Sequence, residues 1–403
     1  MTVVLAVGPG AVAVAADEWG NDGWGSDGWE VSEAPAGMDL SGYLETTGLT
    51  VLPRNVGGDD VRVGLQTLLR LRGRFEPQEF LSVTVETEFL DRRGAVRSGD
   101  ESRQIRFDYL YGSAAFGPVD LRVGRQPLAW GTAYAFNPTD LMNPSTMEGL
   151  AGVEPPGITA VSASLTLGQR WGIEGYLGFE ERSRHASALD DLSRLNRLPY
   201  GVRGRAFLGP WDLGIGFARS ALYDPGPRSV RTMEYAVAEI AGSIGPVLLY
   251  AETAIEAAAS DWNPERSVDA AVGGQWEPLD RLSLQAEYHR RGRGTTDVDE
   301  YPASERLAGR LVGQNYLVGI GTLFLKDDDL RLMVAALTNL NDYSAAVRPE
   351  LTWLVTEDFE LGFGASLSFG SRGSEFDGRV SDNDLGEVDL GVPRLFAKAT
   401  WYF

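Results

Sequence analysis

The chain has no cysteine, which removes disulfide scaffolds and thiolate metal sites. Histidine is nearly absent too: only His185 and His289 occur. Beyond the first 16 residues no apolar run approaches the roughly 18 residues a membrane helix needs, and mean hydropathy is -0.16. Basic charge is scarce, with 36 Lys and Arg against 57 Asp and Glu and a net charge of -21. That balance argues against a nucleic-acid partner. A helical membrane protein is excluded; a β-barrel is not, because its alternating strands average out as polar.

Glycine is abundant instead, at 49 of 403 residues, as suits many turns and close strand contacts. Residues 1–16, MTVVLAVGPGAVAVAA, read as the apolar core and small-residue cleavage site of a secretory signal peptide, without the usual basic head. Residues 17–38 form a separate piece in which Trp19, Trp24 and Trp29 recur among Gly, Asp and Ser. Such a segment cannot bury a core and reads as a disordered periplasmic tail, or as a docking element for a periplasmic partner.

From residue 39 to 403 the sequence alternates in stretches of about 9–15 residues divided by turn signals. Eighteen strands are predicted: 39–51, 61–75, 79–90, 103–116, 119–127, 158–168, 170–180, 200–209, 211–222, 231–244, 246–256, 266–276, 281–290, 313–325, 329–339, 342–355, 358–369 and 392–403. Connections after even-numbered strands are short, often Gly-Pro, as in FGPVDLRVG, LGPWDLGIG and IGPVLLYAE. Those after odd-numbered strands are mostly long, up to 128–157. An even count with this asymmetry predicts an all-β fold, a transmembrane antiparallel up-and-down barrel with short periplasmic turns and long extracellular loops.

The pleat then assigns faces. In 61–75 the odd positions Val61, Val63, Leu65, Leu69, Leu71 and Phe75 are apolar, whereas the even ones include Arg62, Gln66, Arg70, Arg72 and Arg74. Period two sends the first set to lipid and the second to the lumen. Glu86, Glu88, Arg203, Arg205, Glu252, Glu256, Gln285, Glu287, Arg348 and Glu350 point inward by the same rule. An arginine column beside glutamates reads either as a transverse charge ladder that orients solutes or as cross-strand pairing that offsets burial.

The last strand ends on Trp401, Tyr402 and Phe403. This ending resembles the C-terminal signal through which outer-membrane barrels engage the barrel-assembly machinery, with Trp401 and Phe403 as its carriers. A second resemblance lies in Arg122-Val123-Gly124-Arg125-Gln126 and Trp130-Gly131, followed by Asn137-Pro138-Thr139-Asp140. A GRQxxxWG run with NPxD-type turns is similar to a set of porin-like Gram-negative barrels, related in appearance to alginate-export proteins. The resemblance implies an inward loop at 128–157, with Arg125 and Asp140 setting the charge at its narrowest point; a loop pinned for stability alone is the alternative. Trp130 and Phe136 are anchors on either reading.

Catalysis needs a nucleophile or activated water near a histidine. His185, in an outer loop with Asp190 and Asp191 and a short helix suggested at 186–197, has no nucleophile motif; nor has His289, which shares a face with Glu287. The expectation is therefore a non-enzymatic channel of the Gram-negative outer membrane, free of cofactor and metal, embedded in lipid and passing small hydrophilic solutes. Pore-lining candidates are Arg62, Arg70, Arg72, Arg74, Glu86, Glu88, Arg122, Arg125, Trp130, Asp140, Arg203, Arg205, Glu252, Arg348 and Glu350. The alternatives are a sheath enclosing a lipoprotein or electron-transfer subunit, and a polysaccharide exporter.

Overall fold

The computed structural model describes residues 38–52, 61–94, 102–143, 156–181, 197–224, 229–257, 263–307, 309–326, 329–382, 386–389 and 391–403. The predicted signal peptide, almost all of the Trp-rich tail, His185 with Asp190 and Asp191, and residues 144–155 of the long loop lie outside them. Among the described residues there are twenty strands: β1 Met38–Val51, β2 Arg62–Gln78, β3 Leu81–Gly94, β4 Ser102–Phe116, β5 Val119–Gln126, β6 Ile158–Leu167, β7 Trp171–Gly178, β8 Tyr200–Leu208, β9 Trp211–Asp224 and β10 Ser229–Ile244. They continue with β11 Val247–Glu256, β12 Val268–Leu279, β13 Leu282–Arg290, β14 Asn315–Leu325, β15 Leu330–Asn339, β16 Ala345–Thr356, β17 Phe359–Phe369, β18 Arg379–Asp382, β19 Gly386–Asp389 and β20 Arg394–Tyr402. All but β18 and β19 form one antiparallel sheet in which each strand pairs with its neighbours. The sheet closes where β20 pairs with both β17 and β1. The eighteen barrel strands correspond one for one with the predicted ones. The β18–β19 hairpin and a short helix at Ala303–Leu307 are additions inside long loops.

The short turns work as their sequences require. Gly117, Gly168, Gly209 and Gly245 all have φ between +59° and +68°, and three of them precede proline. Glycine alone enters that region freely and proline then fixes the next φ, which fits a type II′ hairpin turn. Three ladder irregularities lie at this end, between Phe75 and Gln78, Trp276 and Leu279, and Leu354 and Thr356. The first two surround Pro77 and Pro278, which have no N–H to give a ladder.

The β1–β20 closure extends to Phe403. Phe403 and Gly42 exchange backbone hydrogen bonds of 2.8 and 3.0 Å. A Cβ on Gly42 would lie 3.1 Å from the Phe403 ring and collide with the Arg70 carbonyl.

Burial is inverted relative to a water-soluble protein. Large apolar side chains such as Leu65, Phe89, Ile105, Ile215, Val272 and Phe363 are exposed on the outer face, with Phe75, Phe80, Phe116, Trp171, Trp276, Trp353 and Trp401 banded near the short-turn end. Glu86, Glu88, Glu287, Glu350, Lys398 and Thr400 are buried inside. A continuous apolar exterior of this kind needs hydrocarbon around it. No helix among the described residues is long and apolar enough to cross a membrane.

Candidate functional site: the lumen and its inward loop

Residues 127–143 of the β5–β6 loop fold into the barrel. Its apolar side chains Trp130, Leu141 and Met142 pack on lumen-facing Tyr176, Ala218, Tyr235, Val237 and Ala254. Trp130 meets Tyr176 edge-on at 4.9 Å, and the Arg203 guanidinium lies 4.9 Å from the Trp130 ring centre. Further round, Phe136 packs with Tyr316, Val318 and Leu337 and lies 4.7 Å from the His289 ring. The loop thus lines the wall from β6 to β15.

Five consecutive backbone amides fasten it. Thr132 N–H donates to Glu252 Oε2 at 2.8 Å, and Ala133 N–H to the same atom at 3.4 Å. Tyr134 and Ala135 donate to Glu287 Oε2 and Phe136 to Glu287 Oε1, each at 2.9 Å. Thr139 Oγ1 and Tyr250 Oη add bonds to the two carboxylates. Gly131 has φ +114°, and a Cβ there would sit 2.7 Å from Glu252 Oε2, so the loop can approach the carboxylate only with glycine.

The opposite wall, from β16 through β17, β20 and β1 to β5, carries charge clusters. Arg70 pairs with Glu86 and Glu88, near Asp108, and Arg106 also reaches Glu88. Arg348 pairs with Glu350 at 3.1 Å, and Lys398 lies 3.4 Å from Glu350 and 3.9 Å from Glu360. Under the loop, Arg203 joins Glu174 at 2.8 Å and Glu239 at 2.6 Å, while Arg205 joins Glu174 and Asp212. Arg348 and Glu350 share a strand, whereas the other pairs span adjacent or next-adjacent strands; of the arginine column, Arg70 makes the cross-strand pairs.

The candidate residues separate accordingly. Arg70, Glu86, Glu88, Arg203, Arg205, Arg348 and Glu350 sit in these clusters. Arg74 pairs with Glu76 at 2.9 Å near the short-turn end, and Arg62 is exposed at the long-loop end. Arg72 and Arg122 face the lumen, the latter 5.9 Å from the Tyr111 ring. Trp130 is the buried anchor expected.

Three assignments change. Arg125 does not line the pore: it shares a pleat face with Leu121 and Val123, pairs laterally with outward Leu110, and bonds Glu180 at 2.9 Å. Asp140 is turned into its own loop, where it accepts from Met142 N–H, Asn143 N–H and Asn143 Nδ2. Glu252 is a loop anchor, with its carboxylate turned to the amides.

Sequence reasoning missed Asp108, which a bulge opposite Glu86 and Thr87 takes out of the alternation. It also missed the piece 371–378, where Glu375 accepts from Val312 N–H, Tyr316 Oη and Asn339 Nδ2 and Phe376 joins the Phe136 cluster. Among the described residues no group of three or more His, Asp or Glu is placed to hold a metal ion.

No family model matches the chain, and no curated protein matches it. Solved structures similar to it include a variant of the Rh. blastica porin at 10% identity, covering 91% of this chain and all of that one, with a TM-score of 0.47. A triple mutant of the Rhodopseudomonas blastica porin gives 0.48 at the same identity and coverage. A loop-deletion variant of OmpT, an outer membrane protein of Vibrio cholerae, gives 0.42 at 11% identity, covering 91% of this chain and 99% of that one.

Proposed function

We propose that the chain is an outer-membrane channel of porin type, in which small hydrophilic solutes diffuse passively through the lumen past the inward loop. The carrying observation is the pairing of an apolar exterior with a charged interior whose loop is fixed by Glu252 and Glu287. The exterior makes the barrel a membrane solute. The interior supplies the hydrogen-bonding groups that stand in for water around a passing polar molecule. Fixing the loop by carboxylates on β11 and β13 sets an aperture between it and the bare wall of β16 to β5.

In this reading residues 1–16 direct secretion and are removed, 17–38 stay in the periplasm, and Trp401 and Phe403 present the final strand to the assembly machinery. No energy source and no bound cofactor enter the account. An exporter of one polyanion calls for a lining of continuous sign, whereas Arg and Glu alternate here. Swelling of proteoliposomes in isosmotic neutral sugars tests the reading. Rates that fall with sugar size support a sized aqueous path; liposomes that stay at the protein-free rate for the smallest sugar contradict it.

A further inference from the structure

Lumen cations fall into two kinds. Arg70, Arg203, Arg205, Arg348 and Lys398 each have a carboxylate within 4 Å. Arg72, Arg122 and Arg331 do not: none closes a side-chain hydrogen bond or an ion pair among the described residues. Their neighbours explain why. Arg72 stands directly across the ladder from Glu86, but the Glu86 carboxylate turns to Arg70 Nη1 at 3.3 Å, and the residue on the other side is Ser41. Arg122 is flanked by Ser113 and Ser162, and Arg331 by Phe324 and Thr352. Glu360 and Tyr134 lie near Arg331 without closing a pair. The nearest acid on the strand of Arg122 is the exposed Asp120, which accepts from Ser164 at 3.5 Å.

The strand order sets these three at intervals around the lumen wall. Their strands β15, β2 and β5 border or divide the wall left bare by the loop. All three side chains are half-buried and lie within about 20 Å of the short-turn end along their strands. A guanidinium cannot be neutralised at any ordinary pH and presents planar paired donors suited to carboxylate, phosphate or halide. Separate sites, each of modest strength, are what conduction requires, since an ion must leave as readily as it enters.

We infer that the lumen passes small anions, stepping along Arg72, Arg122 and Arg331, although the chain as a whole is acidic. The acidic excess lies partly elsewhere: residues 17–38 alone contain six acidic residues and no basic ones. This inference rests on the channel reading above and names its solute class.

The test is the reversal potential of the purified full chain in planar bilayers under a KCl gradient, beside the triple variant R72Q/R122Q/R331Q. Heat-modifiable migration on gels confirms that both are folded. The natural chain is expected to prefer chloride over potassium. The triple variant should conduct with that permeability ratio lowered about fivefold, the scale set by three unit charges roughly 10 Å from the ion path under screening by about 0.1 M salt. Steady currents preferring potassium, or a ratio unchanged in the triple variant, would overturn the anion assignment and leave the channel reading standing. Folded, inserted barrels that carry no current would overturn both.

Discussion

Replacing Glu287 by glutamine attacks the loop anchor with least disturbance of volume. The carboxylate takes three amides and the Tyr250 hydroxyl on two oxygens. Glutamine offers one oxygen, and its NH2 is a donor. In its better orientation it keeps the three donors of Oε2 and leaves the buried Phe136 N–H facing another donor, at a cost of about 1–3 kcal/mol. The three surviving bonds also lose their charge assistance, roughly 1 kcal/mol each. Relief of the buried charge offsets part of this. A net loss of about 2–3 kcal/mol in loop docking follows, or roughly 30- to 150-fold in the docked-to-undocked ratio. Adding Glu252→Gln removes the charge behind the Thr132 and Ala133 amides as well. Single-channel recording should then show flicker in Glu287→Gln and a higher, noisier conductance in the double variant. A double variant matching the natural chain in both conductance and noise would refute the idea that these two carboxylates set the aperture.

Further expectations concern the barrel and its outer loops. Ile215, 72% exposed on the outer face, should cost about 2–4 kcal/mol when changed to arginine near mid-membrane, measured by reversible unfolding in lipid; no loss there would contradict the face assignment. Gln66→Arg, though inward, should also destabilise, since Gln66 Oε1 accepts from Arg92 Nε at 2.9 Å and the change sets two cations together. Deleting Phe403 removes both of its backbone bonds to Gly42 and should lower the yield of folded barrel on gels, whereas Phe403→Tyr should not. Burial pushes the Glu375 carboxyl above the usual range despite its three donors. A group raised on folding contributes fully below its unfolded value of about 4.3 and loses that contribution as pH rises through its folded one. A spin label at Ser371, exposed on the same piece, should therefore be less mobile at pH 4 than at pH 8, and the reverse order would contradict the assignment.

The barrel was legible because period-two alternation and turn chemistry are local. Strand 231–244 appears as Ser229–Ile244 and 39–51 as Met38–Val51. Where boundaries slipped, as at Val268–Leu279, the cause is a bulge around Pro278, which adds residues that alternation does not count. The site was less legible, for a different reason in each case. Arg125 stands three residues after Arg122, so the pleat already placed the two on opposite faces; the motif drew attention away from that spacing. Asp140 carries a turn signal and serves its own turn. The Glu252 and Glu287 anchors bond amides 120 and 153 residues away in sequence at their widest separation on each carboxylate, and no local pattern reports such a contact. Sequence also placed Arg72 and Arg122 inward without distinguishing them from Arg70. Arg70 is paired because Glu88 and Glu86 both turn to it, and Glu86, though directly across the ladder from Arg72, leaves that guanidinium free among the described residues.

The most direct test of the central claim is the single-channel conductance of the purified full chain in a planar lipid bilayer, recorded across a series of KCl concentrations. The account predicts steady, voltage-tolerant steps whose size rises in proportion to salt, as for ions crossing a water-filled aperture. Barrels that insert and fold yet remain silent at every concentration would contradict it.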